Sequence, residues 1–238
     1  MVVVGGLATR LYPISRLIPK ALLPVGTKPI LDYVVDELEG RFDEIWVVVS
    51  SHLSTFQTWA SMHKGVHLYI VPTSDSVELG GVVKDIYELA ETTMGFDDIL
   101  LMWGNMVFTF DLQTALIDFY DNKFLLGLYD VVDVEKASRY GVVDMNGDLR
   151  VKRLLEKPSN PQSTLVHTGI SVMPKNILKM IPEFLPTVQG KHHRFGDYVT
   201  WLLNKNVEVD GVSLNGEWFY IDWADSYDRL LRWHLKSY

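Results

Sequence analysis

Residues Val2 to Asp32 read VVVGGLATRLYPISRLIPKALLPVGTKPILD. The β-branched run Val2 to Val4 suits a short, fully buried strand, and it breaks at Gly5-Gly6. Glycines directly after a strand let backbone N–H groups approach an anion with no Cβ in the way. Arg10 and Lys20 follow, in a loop otherwise rich in apolar residues and prolines. Two cations in that setting are poorly explained as a solvated face, and the prolines keep the segment out of one long helix. The stretch reads as a backbone cradle for phosphate with two cations set to reach it. A tight structural turn would explain Gly5-Gly6 alone, so the reading rests on glycines and cations together. No Gly-Lys-Ser/Thr follows, so this is not a Walker A loop. The G-x-G-x-x-G spacing of a dinucleotide-binding oxidoreductase is also missing.

Working outward, Ile30, Leu31, Val34, Val35 and Leu38 repeat at helical spacing before Gly40, which fits a helix stop. Apolar runs at 45–49 (IWVVV), 66–71 and 99–103 (ILLMW) predict buried strands. Amphipathic stretches at 54–63 and 82–90 predict helices between them, and Asp111 is placed to cap a helix over 112–120. Continuous apolar strands alternating with helices indicate a mostly parallel sheet covered on both faces. Ligands of such sheets bind at the carboxyl ends of the strands, where Gly5-Gly6 and Gly104-Asn105 both fall.

The second half is less regular. A strand at 124–129 is followed by Tyr140 to Leu155, which predicts a hairpin turning at Asn146-Gly147. Strands near 169–173, 207–214 and 218–221 follow, with helices marked by Phe195 to Leu203 and Tyr227 to Leu235. No repeat, low-complexity tract or linker interrupts residues 1–238, so a single domain is expected.

Composition narrows the function. The 238 residues are 47% hydrophobic and 22% charged, with a formal charge of −8 that disfavours a generic nucleic-acid binder. Cysteine is absent, so no disulfide framework, thiolate metal site or thiol nucleophile is available. No apolar run approaches a membrane span and MVVVGG lacks a signal's basic region, so a cytoplasmic protein is expected. His192-His193 are adjacent and cannot share a helix face, which argues against a metal pair. Asp222 ends the apolar run WFYI, so its carboxylate emerges at a strand end, a sensible place for a Mg²⁺ ligand. Asp225 suits capping of the last helix.

With these residues in view, GGLATRLYPISRLIPKALLPVGTKPILDY resembles the signature of the sugar-phosphate nucleotidyltransferases. Further segments follow in the family's order: VELGGVV, WGNMVF, YGVV, LEKP, TGI and the tryptophan–aspartate region near 218–222. The resemblance implies an α/β fold, a Rossmann-like three-layer α/β/α sandwich with a β-hairpin elaboration in the second half. It also implies transfer of a nucleotidyl group from an NTP to a sugar-1-phosphate, with Mg²⁺ or Mn²⁺, and leaves a homo-oligomer open. By resemblance, Gly5 and Gly6 hold the nucleotide, Arg10 the β and γ phosphates, Lys20 the α-phosphate side, and Gly80 the base. Gly141 and Glu156 meet the sugar and Lys157 its phosphate, although residue types alone make Glu156-Lys157 an exposed pair before Pro158. The family's metal-binding aspartate is Asn105 here and its third loop glycine is Ala8. A neutral amide is a poorer ligand for a hard cation, so Asn105 and Asp222 are the metal candidates and Asn105→Asp is expected to improve metal affinity. The second reading is a weak or inactive homologue that binds nucleotide-sugar and regulates a partner.

Overall fold

In a computed structural model describing residues 1–5, 8–71, 81–95, 97–113, 122–147, 149–188 and 194–237, the apolar runs become strands. The chain forms two units. One comprises Met1–Pro72, Met102–Phe110 and Gly216–Tyr238, the other Thr73–Leu101 and Asp111–Asn215.

In the first unit, β1 (Val2–Val3) is followed by two short strands, β2 (Pro24–Val25) and β3 (Lys28–Pro29), then α1 (Ile30–Asp36) and β4 (Ile45–Val49). Next come α2 (Leu53–Ala60) and β5 (Val66–Ile70). β1 pairs in parallel with β4 and with Met102 and Trp103 of β6 (Ile99–Trp103), and β4 pairs in parallel with β5. Parallel neighbours require crossover connections, which α1 and α2 supply. Val47 to Val49 are at most 1% exposed, as expected of strands covered on both faces. The proline-rich stretch between β1 and β2 forms three short 3₁₀ turns, Thr9–Leu11, Ile14–Arg16 and Lys20–Leu22.

A second layer of this unit joins distant parts of the chain. β7 (Met106–Phe108) pairs antiparallel with Trp218–Tyr220, the last strand, β13. Leu11, Leu23, Val25, Ile30, Val107, Phe219, Ile221 and Leu230 form one buried cluster, each at most 5% exposed. Burial of such side chains contributes roughly 1.5–3 kcal/mol apiece before the entropy of ordering is counted. The cluster matters because its members flank the charged candidates: Leu11 follows Arg10 and Ile221 precedes Asp222.

The second unit contains α3 (Val82–Leu89) and a sheet ordered β11-β8-β12-β10-β9. Its strands are β8 (Phe124–Asp130), β9 (Gly141–Asn146), β10 (Arg150–Glu156), β11 (Leu165–Met173) and β12 (Val209–Ser213). Its other helices are α4 (Val134–Ala137), α5 (Lys175–Leu178), α6 (Ile181–Phe184) and α7 (Phe195–Asn204). Here the sheet is mixed, and it includes the hairpin expected in the second half. β12 runs parallel to β8, while β11 is antiparallel to β8 and β10 is antiparallel to both β9 and β12. Connection length dictates the β9–β10 pair, since the short turn at Gly147 (φ 73°) can join only antiparallel strands.

The closing helix, α8 (Ala224–Ser237), belongs to the first unit. Asp225 does not cap it from outside, as the sequence suggests, but lies in its first turn and accepts from the N–H of Ser226 at 2.9 Å. Ser226 instead reaches back, its Oγ accepting from Trp223 N–H at 3.3 Å, in the manner of a capping box. Among the described residues no helix is long and apolar enough to cross a membrane.

Candidate active site

The loop after β1 carries its cations on short turns pinned by buried neighbours. Arg10 sits between exposed Thr9 and buried Leu11, so its guanidinium projects from an anchored turn and is 43% exposed. Its Nη1 donates to Asp222 Oδ2 at 2.6 Å, and its guanidinium lies over the Trp223 ring, 4.4 Å from the centroid. Lys20 is held by Ala21 and Leu23, each 1% exposed, and its own side chain is only 10% exposed. Its Nζ donates to Asp222 Oδ1 at 3.1 Å. Burial alone pushes the Lys20 ammonium down, but nearby Tyr220 and Asp222 more than offset this and hold its pKa above the ordinary value. Two cations 212 and 202 residues distant in sequence from Asp222 thus grip its two carboxylate oxygens separately.

Ala8, where the family has a glycine, adopts φ 46° and ψ 44°, a left-handed conformation that crowds an L-residue's Cβ. The strain is held by hydrogen bonds to its carbonyl from Leu11 N–H at 2.9 Å and from the buried Ser15 hydroxyl at 2.7 Å. Ala8→Gly is therefore expected to stabilise the chain by about 1 kcal/mol, read as a shifted urea midpoint with unchanged slope.

Asn105 is 3% exposed and is tied to the residue before Asp222. Its Nδ2 donates to Ile221 O at 2.8 Å, and Ile221 N–H donates to the Asn105 carbonyl at 2.8 Å. An aspartate cannot make the first of these bonds when ionised and would set a carboxylate oxygen against a carbonyl. The benefit expected for Asn105→Asp thus meets an opposing cost. The variant should lose about 1–3 kcal/mol of stability in urea unfolding, and an unchanged midpoint would count against this role for the amide.

Among the described residues no group of three or more histidine, aspartate or glutamate side chains is placed so that it could hold a metal ion. Asp222 offers one carboxylate, and the Asn105 amide, its nitrogen engaged by Ile221, has only its oxygen to offer a cation. Such a donor set suits Mg²⁺ only in the way it commonly binds, with one or two protein oxygens and the rest from phosphates and water.

In the second unit the hairpin sets Gly141 opposite Glu156 in register. A Cβ at Gly141 would lie 3.4 Å from Glu156 Oε2, and one at Gly196, in the first turn of α7, only 3.1 Å from it and 2.7 Å from Leu154 Cδ2. Glu156 thus lies between two glycines that leave its carboxylate room. Lys157 has φ 48° and is exposed, with its N–H bonded to Tyr140 O at 2.9 Å. A non-glycine residue held there is uncommon and concentrates at functional turns. The TGI motif is an irregularity in β11, where register shifts between His167 and Ser171 and Gly169 takes φ 86°. Thr168 pins it by donating to Gly127 O at 2.8 Å. His167 stacks on Phe195 at 5.2 Å, and its Nε2 lies 2.9 Å from Ser171 Oγ. Burial pushes its pKa down to about 4, so it is neutral at pH 7.

Gly5 follows β1 with Ser50 Oγ 3.3 Å from where its Cβ would stand. Gly6, Gly80 and His192-His193 lie outside the described residues, as does most of the helix expected after Asp111. The structure brings Arg10, Lys20 and Asp222 together, and separately Gly141 and Glu156. Trp223 as the platform for Arg10, and Gly196 beside Glu156, were not foreseen. Trp223 borders the predicted site residue Asp222 in sequence, but its contact with Arg10, like that of Gly196 with Glu156, comes from pairing across long chain separations.

Against known proteins, residues 1–228 match the family model described as Nucleotidyl transferase. The chain is 25% identical over 218 residues to the bifunctional protein GlmU of Methanocaldococcus jannaschii, covering 92% of this chain and 50% of that protein. The chain thus spans about half the length of this relative. A UDP-glucose pyrophosphorylase complexed with UDP-glucose superposes with TM-score 0.81 at 18% identity, covering 100% of this chain and 98% of the other. The inositol-1-phosphate CTP transferase of T. maritima gives 0.79 at 18%, covering 98% and 94%. The last two likenesses establish a shared Rossmann-like α/β fold. Together with the gathered loop cations, the match across nearly the whole chain makes this a member of the nucleotidyl transferase family, in keeping with the sugar-phosphate signature of its first 33 residues.

Proposed function

We propose that the chain transfers a nucleotidyl group from an NTP to a sugar-1-phosphate, forming an NDP-sugar and releasing pyrophosphate. The observation that carries this reading is the convergence of Arg10 and Lys20 on one carboxylate in the proline-punctuated loop. The nucleophile is already an anionic phosphate oxygen, so the reaction needs no general base. What it needs is positioning of two polyanions and stabilisation of the departing charge.

In this reading Gly5 and Gly6 hold the nucleotide against the loop backbone, and Gly80 lets the backbone approach the base. Arg10 binds the β and γ phosphates and Lys20 the α-phosphate side. Glu156 accepts hydrogen bonds from sugar hydroxyls beside Gly141, while Lys157 pairs with the sugar phosphate. Asp222 and the Asn105 amide oxygen would hold Mg²⁺ or Mn²⁺. Once bound, the ion would screen phosphate charge and stabilise the leaving pyrophosphate.

Pyrophosphate release across a panel of NTPs and sugar-1-phosphates, with Mg²⁺ and with Mn²⁺, tests the reading. Turnover is expected with at least one pair. Measurable NDP-sugar binding without turnover for any pair would instead favour a regulatory homologue.

A further inference from the structure

We infer that Asp222 is an internal substitute for phosphate, and that the loop accepts a phosphoanion and a divalent cation together far better than either alone. The inference rests on the reading that Arg10 and Lys20 are phosphate-binding cations.

Its basis is the occupancy of Asp222. One oxygen is held by Arg10 at 2.6 Å and the other by Lys20 at 3.1 Å, and the carboxylate is only 13% exposed. Two oxygens of one anion, each accepting from a separate cation, are what a phosphate would also offer. A phosphoanion arriving alone draws Arg10 and Lys20 away from Asp222 and sets a second anion beside that partly buried carboxylate, which is unfavourable. A divalent cation arriving alone meets a carboxylate already neutralised by two positive groups. When both arrive, the partners exchange: Arg10 and Lys20 turn to the phosphoanion and Asp222 to the metal. Each cation and each anion then faces a partner of opposite sign.

The consequence is a positive coupling between two ligands that meet at one side chain. Such couplings are reciprocal and typically change affinity by about 5–150-fold. Asp222 therefore does more than supply a metal ligand. It keeps the two cations ordered and hydrogen-bonded while the loop is empty, and it discriminates against metal-free anions.

Calorimetric titration with inorganic pyrophosphate, with EDTA or with Mg²⁺ present, separates the possibilities. For the wild type, binding is expected to be at least about fivefold weaker in EDTA than with Mg²⁺. Asp222→Asn, which keeps the shape and removes the charge, should bind pyrophosphate in EDTA about tenfold more tightly than the wild type. It should also lose most of the response to Mg²⁺. Loss of a merely structural contact would weaken binding, so the direction of the change is decisive. Unchanged or weaker metal-free binding by Asp222→Asn, with the wild type binding normally in Mg²⁺, overturns the inference alone. Absence of pyrophosphate binding by the wild type under both conditions overturns the phosphate reading beneath it. Circular dichroism checks the fold, and Asp222→Ser carries the same test should the asparagine variant not fold.

Discussion

Arg10→Ala is expected to lower kcat for pyrophosphate release by about 100- to 1,000-fold, the usual scale for removing one preorganised donor aimed at developing charge. The effect should fall on kcat more than on KM, because the leaving pyrophosphate gains charge during the reaction and the bound triphosphate does not. Geometry supports a large loss. The guanidinium is carried on a turn anchored by Leu11, and Trp223 lies under it at 4.4 Å, so its place is held before substrate arrives and only its bond to Asp222 has to be exchanged. Arg10→Lys should recover only part of the rate, because a lysine has neither the planar face for Trp223 nor the forked donors. Steady-state kinetics of both variants give the check. A raised KM with kcat unchanged would assign Arg10 to ground-state binding.

The second large effect is expected for Lys20→Met, which should cost stability as well as activity. Removing one partner from a buried ion pair can cost about 3–5 kcal/mol, because the other charge is stranded. Asp222 keeps Arg10 here, so a loss of about 1–3 kcal/mol in urea unfolding is the expected size. The pH dependence carries a definite sign. The folded-state pKa of Lys20 lies above the ordinary 10.5, so its stabilisation is complete below about that value and fades as pH rises through the folded pKa. The wild type should therefore lose stability in strong alkali more steeply than Lys20→Met. Parallel unfolding curves above pH 10 would mean the ammonium contributes nothing to folding.

The parts of the fold written in local periodicity were legible. The run IWVVV predicted β4 at its observed ends, and Asn146-Gly147 predicted the β9–β10 hairpin. The pairings of β11 and β12 in the second unit were not, because these strands find their neighbours by long-range packing and not by pattern. Among the described residues, the four-residue helices α4, α5 and α6 were also missed, being too short to show a period. For the candidate site, Arg10, Lys20 and Asp222 were each picked out by residue type and place. Their union on one carboxylate was not visible, since sequence spacing says nothing about contacts more than 200 residues apart. The partner of Asn105 was hidden for the same reason, as a backbone carbonyl leaves no mark in a sequence.

The first unit is assembled from three separated stretches, and this bears on how the chain is made. Lys20 and Asp222 are 202 residues apart, so a ribosome adding about 5–20 residues per second completes the pair on the order of 10–40 s after Lys20 is synthesised. During that interval Leu11, Leu23, Val25 and Ile30 wait for Phe219, Ile221 and Leu230 with apolar surface uncovered. The loop that carries Arg10 and Lys20, made before the stretches that complete its unit, is thus among the last parts of that unit to reach its final form, and its apolar surface is most open to chaperone capture just before α8 arrives.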